Sequence, residues 1–255
     1  WKLLIIKLEP SSVWYSLKAI VSGSTLGIFT PNRIGDIAGR VMFLHPQNRI
    51  RAMVCTAIGA FAQTIMIIGL GLLSAIYFCI HFVELEYRIF YVLLYLVGVL
   101  LVLLFFIYFN INWVSFITDK WIKSEKIRKV FAIMNSYTTK ELAIVLLVGF
   151  LKYIIFSTQY VLLIMFLIPE VHWFDTMILI NLVFFVQSIV PSFAMADLGI
   201  RGATSIYFLG FITTNVIAIL AASIIIWCVN IMLPALVGAV FFIQQRFFDD
   251  GIRVV

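Results

Sequence analysis

Long apolar blocks alternate with short polar breaks along this chain, at residues 51–80, 89–109, 142–168, 177–190 and 203–243. About 20 helical residues cross the hydrocarbon core of a bilayer, and backbone amides inside lipid need partners within their own segment. The blocks therefore predict membrane helices, and none has the every-second-residue alternation of a barrel strand. Blocks 51–80, 89–109 and 142–168 read as full crossings, with a last one near 215–243. The pattern predicts an all-α fold, a polytopic integral membrane helical bundle.

Two regions break this rhythm. Residues 12–29 are apolar but interrupted by Lys18, Ser22, Gly23, Ser24, Thr25 and Gly27, and residues 175–190 are short, ending in Gln187-Ser188 before Pro191. After Arg201, residues 202–212 would make a helix of only about 16 Å, half the hydrocarbon thickness. We expect two broken or re-entrant hairpins, the first entering from the cytoplasmic side and the second from outside, which makes the repeats inverted. The first repeat would cover about 12–109 and the second about 141–245 of one domain spanning 1–255. The plainer alternative makes 12–29 and 175–190 ordinary spans.

Composition agrees with a membrane chain. Hydrophobic residues make up 64% and charged residues 12%, against about 45–50% apolar in soluble domains. Interval 110–140 carries Lys120, Lys123, Lys126, Arg128, Lys129 and Lys140 against Asp119 and Glu125, while 81–88 holds only Arg88 and 169–175 holds no basic residue. Basic loops stay on the cytoplasmic side. With Arg49, Arg51, Arg246 and Arg253 on the same side, 110–140 and the C-terminus are expected in the cytoplasm of a cell whose inner membrane holds this protein. Cys55, Cys79 and Cys228 stand alone in apolar segments, and His45, His81 and His172 are scattered, so no metal site is expected. The chain opens on Trp1 without a signal peptide's charged start, as an incomplete chain would.

Two stretches repeat one grammar: Pro31-Asn32-Arg33-Ile34-Gly35-Asp36-Ile37-Ala38-Gly39-Arg40 and Pro191-Ser192-Phe193-Ala194-Met195-Ala196-Asp197-Leu198-Gly199-Ile200-Arg201. Each is a proline, a polar bend, then Asp and Arg four apart. Pro31 and Pro191 are expected to break helices together with Gly35 and Gly199, because proline lacks an amide donor and disfavours helical geometry before it. Gly23 with Gly27, and Gly35 with Gly39, form small faces that let helices approach closely. Interrupted segments at matching places of two repeats mark substrate sites in transporters. Helix starts offer amides to an anion, and Arg33, Arg40 or Arg201 would supply donors suited to phosphate, with Asp36 and Asp197 positioning them or accepting protons. Packing glycines with an interfacial ion pair are the bland alternative.

Lys152 lies about 16 Å along its helix from Glu141, near mid-bilayer, where an ionisable group marks a functional pathway by default. Gln159 falls on nearly the same face, giving a polar stripe expected to point into the bundle; snorkelling or pairing with Asp36 or Asp197 is the alternative. Lys18 is a weaker candidate because it can reach the interface. Gly23-Ser24-Thr25-Leu26-Gly27 superficially matches a nucleophile elbow but has Thr at its centre and lies in a membrane helix, so packing is its expected role. No nucleotide loop, dinucleotide fingerprint or zinc-protease motif is present. No catalytic residue and no cofactor are assigned.

Thr30 to Arg40 resembles the Pro, Gly-acidic, basic signature of the lysylphosphatidylglycerol synthase transmembrane region, the flippase-like domain family. Pro191 and Leu198-Gly199-Ile200-Arg201 resemble that family's later Pro-to-Gly-Leu-Gly-Val-Arg segment, and Leu233-Pro234-Ala235-Leu236-Val237-Gly238 is similar to its closing helix. Asp197 stands where Gly is usual, and Gly202 replaces a common acidic residue. The resemblance covers essentially the whole chain as a stand-alone member, which would begin near the end of the family's second helix. It implies movement of aminoacylated phospholipid between leaflets in bifunctional relatives, whose aminoacyl transfer needs a soluble domain that does not fit within these residues.

The expected function is binding and translocation of a phospholipid or other anionic-headgroup lipid, with Arg33, Arg40, Lys152 and Arg201 at the headgroup. A proton- or ion-coupled carrier of a small solute is the second reading, and a non-catalytic membrane subunit of a lipid-modifying system the third. Expected partners are membrane lipids, not nucleic acid, with self-association or a separate lipid-modifying enzyme left open.

Overall fold

The computed structural model describes residues 1–83, 87–113, 116, 121 and 124–249. The orientation signals at Asp119, Lys120, Lys123 and Arg253 lie outside these residues. The described residues form helices α1 (Lys2–Ile5), α2 (Val13–Ile28), α3 (Ile34–Val41), α4 (Arg49–His81), α5 (Tyr87–Phe109), α6 (Glu125–Phe131), α7 (Thr139–Leu167), α8 (Trp173–Ile189), α9 (Ala194–Leu209), α10 (Val216–Trp227) and α11 (Leu233–Asp249). Among the described residues there is no strand. The fold is an all-α helical bundle. Four helical stretches, Pro46–His81, Arg88–Phe109, Thr139–Leu167 and Val216–Ile243, are long and apolar enough to cross a membrane, while Trp173–Ile189 is shorter. These four stretches match, to within a residue or a few at the ends, the segments expected at 51–80, 89–109, 142–168 and near 215–243.

The chain forms two compact units, the first of which draws on both ends of the sequence. One comprises residues 1–57, 191–197 and 227–255, and the other 58–190 and 198–226.

In the first unit, α2 starts where Ser12 accepts a hydrogen bond from the Tyr15 amide at 3.1 Å. It ends before Pro31, which holds Thr30 extended at φ −118°, ψ 142°. A single 3₁₀ turn, Pro31–Arg33, follows. Arg33 adopts φ 56°, a left-handed conformation uncommon outside glycine, and reverses the chain. Thr30 Oγ1 accepts from the Gly35 amide at 2.7 Å, which caps the new helix. α3 then runs back along α2 at backbone contact distance: a Cβ on Gly39 would sit 2.7 Å from the Gly23 Cα, and one on Gly35 would sit 2.4 Å from the Leu26 carbonyl oxygen. The small faces expected at Gly23, Gly27, Gly35 and Gly39 are this contact. Gly35 is therefore not a helix breaker, contrary to expectation; it lies inside α3 with a negative φ, and close approach is what requires it.

Arg49 closes the far end of α3, its Nε and Nη2 donating to the Leu44 and Met42 carbonyls at 3.0 Å each. α11 packs along the same α2, where Thr25 Oγ1 donates to the Ala235 carbonyl at 2.8 Å and a Cβ on Gly238 would fall 2.0 Å from the Val21 oxygen. Around α1, the buried core joins Ile5, Val41, Leu44 and Ala52.

In the second unit, α7 opens on a capping box, with Thr138 and Glu141 each bonded to the other's backbone amide. The core gathers Phe78, Val161, Ile164, Leu179, Ile180, Leu209, Ile219 and Ile226. Two buried polar knots cross it. Tyr160 Oη lies 2.8 Å from Ser205 Oγ and 2.6 Å from Ser223 Oγ. Tyr153 Oη donates to Asn181 Oδ1 at 2.8 Å, and Asn181 Nδ2 donates to Ser74 Oγ at 3.1 Å. Such bonds hold membrane helices together where apolar contact alone supplies little drive.

The segment after Pro191 differs from expectation. Its helix runs over Ala194–Leu209 rather than starting after Arg201. Only the three residues 191–193 stay outside the helix, because proline alone interrupts it. Gly199 lies inside α9 and breaks nothing, since one glycine costs a helix only about 1 kcal/mol. α10 begins on an Asn215 cap whose Oδ1 accepts from the Ala218 amide at 3.1 Å. A π-helical turn, Cys228–Met232, links α10 to α11 just ahead of Pro234, which lacks the donor a regular α-turn needs.

Candidate functional site

The first motif becomes an ordered cation on a short helix. Asp36 lies in the first turn of α3 and Arg40 in its last. Arg40 Nε donates to Asp36 Oδ1 at 2.9 Å, and Nη2 donates to Asp36 Oδ2, a two-pronged ion pair. The side chains retain 19% and 18% exposure, so water screens this pair little. The carboxylate grips one edge of the guanidinium, which leaves the Nη1 side facing away from Asp36. Gly23 and Gly27 lie under this pair: a Cβ on Gly23 would meet Asp36 Oδ1 at 2.6 Å and Arg40 Cγ at 2.7 Å. Arg33 borders the same face, its Cβ 3.7 Å from a Cβ placed on Gly27. Its Nε is buried without a hydrogen-bond partner among the described residues. The structure thus brings Arg33, Asp36 and Arg40 together on one hairpin.

The second motif is divided. Pro191 and Asp197 belong to the first compact unit, where Trp227 Nε1 donates to the Ala194 carbonyl at 3.1 Å. Arg201 belongs to the second, is buried, and has its guanidinium carbon 5.7 Å from the centre of the Phe184 ring. It sits beside the Tyr160 knot, one helical turn before Ser205 on α9. Its role within that unit is a packed cation among aromatic and hydroxyl groups.

Lys152 is placed differently from expectation. The side chain is exposed rather than turned into the bundle. Its Nζ donates to Gln63 Oε1 at 2.9 Å and lies 5.6 Å from the Phe156 ring centre. A neighbouring helix supplies this polar partner near the surface, so the amine has no need to reach the core. Gln159 is half-buried. Lys18 also sits against aromatics, 5.5 Å from the Trp14 ring centre and 5.4 Å from that of Phe241, an arrangement suited to cation–π attraction.

Sequence reasoning missed Gln63, Phe184 and the Tyr160 cluster. Gln63 carried a signal, as the lone carboxamide in the apolar block 51–80. Phe184 carried none, since an aromatic in an apolar run is ordinarily packing. Comparisons with family models, curated proteins and solved structures found no match for this chain.

Proposed function

We propose that this chain is an integral membrane protein that binds a lipid with an anionic or phosphate-bearing headgroup and carries it between leaflets. The observation that carries the reading is the Asp36–Arg40 ion pair on α3. A helix of 8 residues, about 12 Å long, cannot cross a bilayer. It holds a guanidinium in fixed orientation against α2, in a chain whose other long segments are apolar. With Asp36 on one edge, the guanidinium has its other edge to offer to a second anion. Arg33 on the same hairpin adds a second guanidinium. The resemblance of both motifs to the flippase-like domain family supports the same reading.

Asp36 acts as a positioning residue, since both its oxygens engage Arg40. That favours lipid handling over the carrier reading, in which Asp36 would exchange protons. In this reading the membrane is the cytoplasmic one, with 110–140 and the C-terminus on the cytoplasmic side, an orientation that the distribution of basic residues supports. The test is leaflet exchange of fluorescent phospholipid in reconstituted vesicles. Exchange that vanishes in Arg40→Ala and is weakened but not abolished in Asp36→Asn supports the reading. Proton-dependent solute uptake without lipid exchange overturns it.

A further inference from the structure

We propose that Lys18, Trp14 and Phe241 hold the phosphate of a resident phospholipid at the membrane surface, on the seam between α2 and α11. The site is separate from the α3 guanidinium and does not rest on lipid carriage. All three residues belong to the first compact unit. There α2 and α11 run antiparallel: Thr25 donates to the Ala235 carbonyl, and a Cβ on Gly238 would press on the Val21 oxygen. Nearer the start of α2, the Trp14 ring meets that of Phe241 edge-on, centres 6.3 Å apart. The beginning of α2 thus lies beside the later part of α11.

Depth follows from this pairing. The membrane-length stretch that runs into α11 ends at Ile243, only about 3 Å beyond Phe241. Lys18 is about 9 Å along α2 from its Ser12 cap. Helical side chains lean toward the N-terminus of their helix, so the Lys18 stem rises over Trp14 toward the surface. Its ammonium lies 5.5 Å from the Trp14 ring centre and 5.4 Å from that of Phe241. Lysine and tryptophan settle at headgroup level in membrane proteins, and here two packed helices hold both in one cluster.

The rings attract the ammonium but bring no negative charge, and they leave its N–H donors for oxygen. Among the described residues no carboxylate pairs with Lys18. Phosphate is the anion that every phospholipid presents at this depth, and an ammonium suits it as a point charge. Trp14 is exposed and brings an indole N–H to the same level. The acyl chains have a place as well. Leu233 and Val237 are exposed and precede Phe241 at intervals of four on one stripe of α11, leading from the cluster toward the bilayer interior. Because recognition is of the phosphate, the rest of the headgroup is free to vary.

The test titrates the full chain in detergent micelles with phosphatidylglycerol brominated in its acyl chains, which quenches nearby tryptophan. The Trp14 signal is the difference between each protein and its own Trp14→Phe counterpart. Wild type is expected to reach half-quenching at about tenfold less lipid than Lys18→Gln, the size of one charge-assisted hydrogen bond. Lys18→Arg, which keeps the charge, stays within about threefold of wild type. Brominated diacylglycerol, with the same chains and no phosphate, should quench wild type as weakly as the phospholipid quenches Lys18→Gln. Equal midpoints for wild type and Lys18→Gln, or for phospholipid and diacylglycerol, overturn the site and leave only bulk acyl contact. If Lys18→Gln does not fold, the two lipids on wild type decide alone. Displacement of the phospholipid by excess inorganic phosphate overturns the lipid as occupant. An unquenched Trp14 in a wild-type dimer that Trp14→Ala splits puts a second copy on this face and overturns the proposal as well.

Discussion

Gly39 faces Gly23 so closely that a Cβ on Gly39 would lie 2.7 Å from the Gly23 Cα. Backbone cannot retreat as a flexible side chain can, so this contact fixes how far α3 stands from α2, and with it the location of the Asp36–Arg40 pair.

Gly39→Ala is therefore expected to lower stability by about 1–3 kcal/mol, as overpacking does. Gly199→Ala is the contrasting change. A Cβ there meets nothing within 4 Å, and the site is helical, so alanine should raise stability by about 0.5–1 kcal/mol. Thermal unfolding of the two variants in detergent checks the pair; equal shifts in one direction would contradict the close α2–α3 contact.

Asp36→Ala leaves the Arg40 guanidinium largely buried without its carboxylate, at a cost of about 1–3 kcal/mol. Once Asp36 is gone, a further Arg40→Ala change should cost far less than it does alone. A double-mutant cycle read by unfolding should give a coupling of about 0.5–3 kcal/mol. Additive effects would show that the two residues do not act as a unit.

Tyr160 ties α9 and α10 to α7 through Ser205 and Ser223. Tyr160→Phe keeps the ring and removes both bonds, which in membrane bundles average about 0.6 kcal/mol each. Ser223→Ala should then add little on top of Tyr160→Phe. Independent losses from the two changes would argue against the knot.

Ser124 and Glu170 are exposed and flank α7, a helix long and apolar enough to cross a membrane. With 110–140 cytoplasmic, an impermeant maleimide should label Glu170→Cys on intact cells or spheroplasts, and Ser124→Cys only after lysis, both in a cysteine-free background. The reverse pattern would invert the topology.

Much of this was legible in the sequence, for identifiable reasons. Membrane helices announce themselves by length and apolarity, and a proline breaks or kinks a helix, so α2, α4, α5, α7, α8 and the turn at Pro31 follow from local chemistry. The small faces at Gly23/Gly27 and Gly35/Gly39 were also legible, because small residues four apart favour close helix approach in lipid; that the two faces meet each other was not. The start of α9 was not. Leu198-Gly199 reads like a break, yet one glycine is too weak an interruption to end a helix that tertiary contacts sustain. The direction of Lys152 was hidden too, because its partner Gln63 lies 89 positions away on another helix and no local periodicity encodes that meeting. The π-turn at Cys228–Met232 needed knowledge of how the chain satisfies its backbone ahead of Pro234.

Dithionite bleaching of NBD-labelled phospholipid in proteoliposomes, run beside matched protein-free vesicles, addresses lipid carriage most directly. Bleaching should proceed past the outer-leaflet fraction with wild-type protein and fall back to the protein-free plateau with folded Arg40→Ala. A wild-type trace that stops at the outer-leaflet fraction, or an Arg40→Ala trace identical to an active wild type, would contradict a headgroup role for the α3 guanidinium.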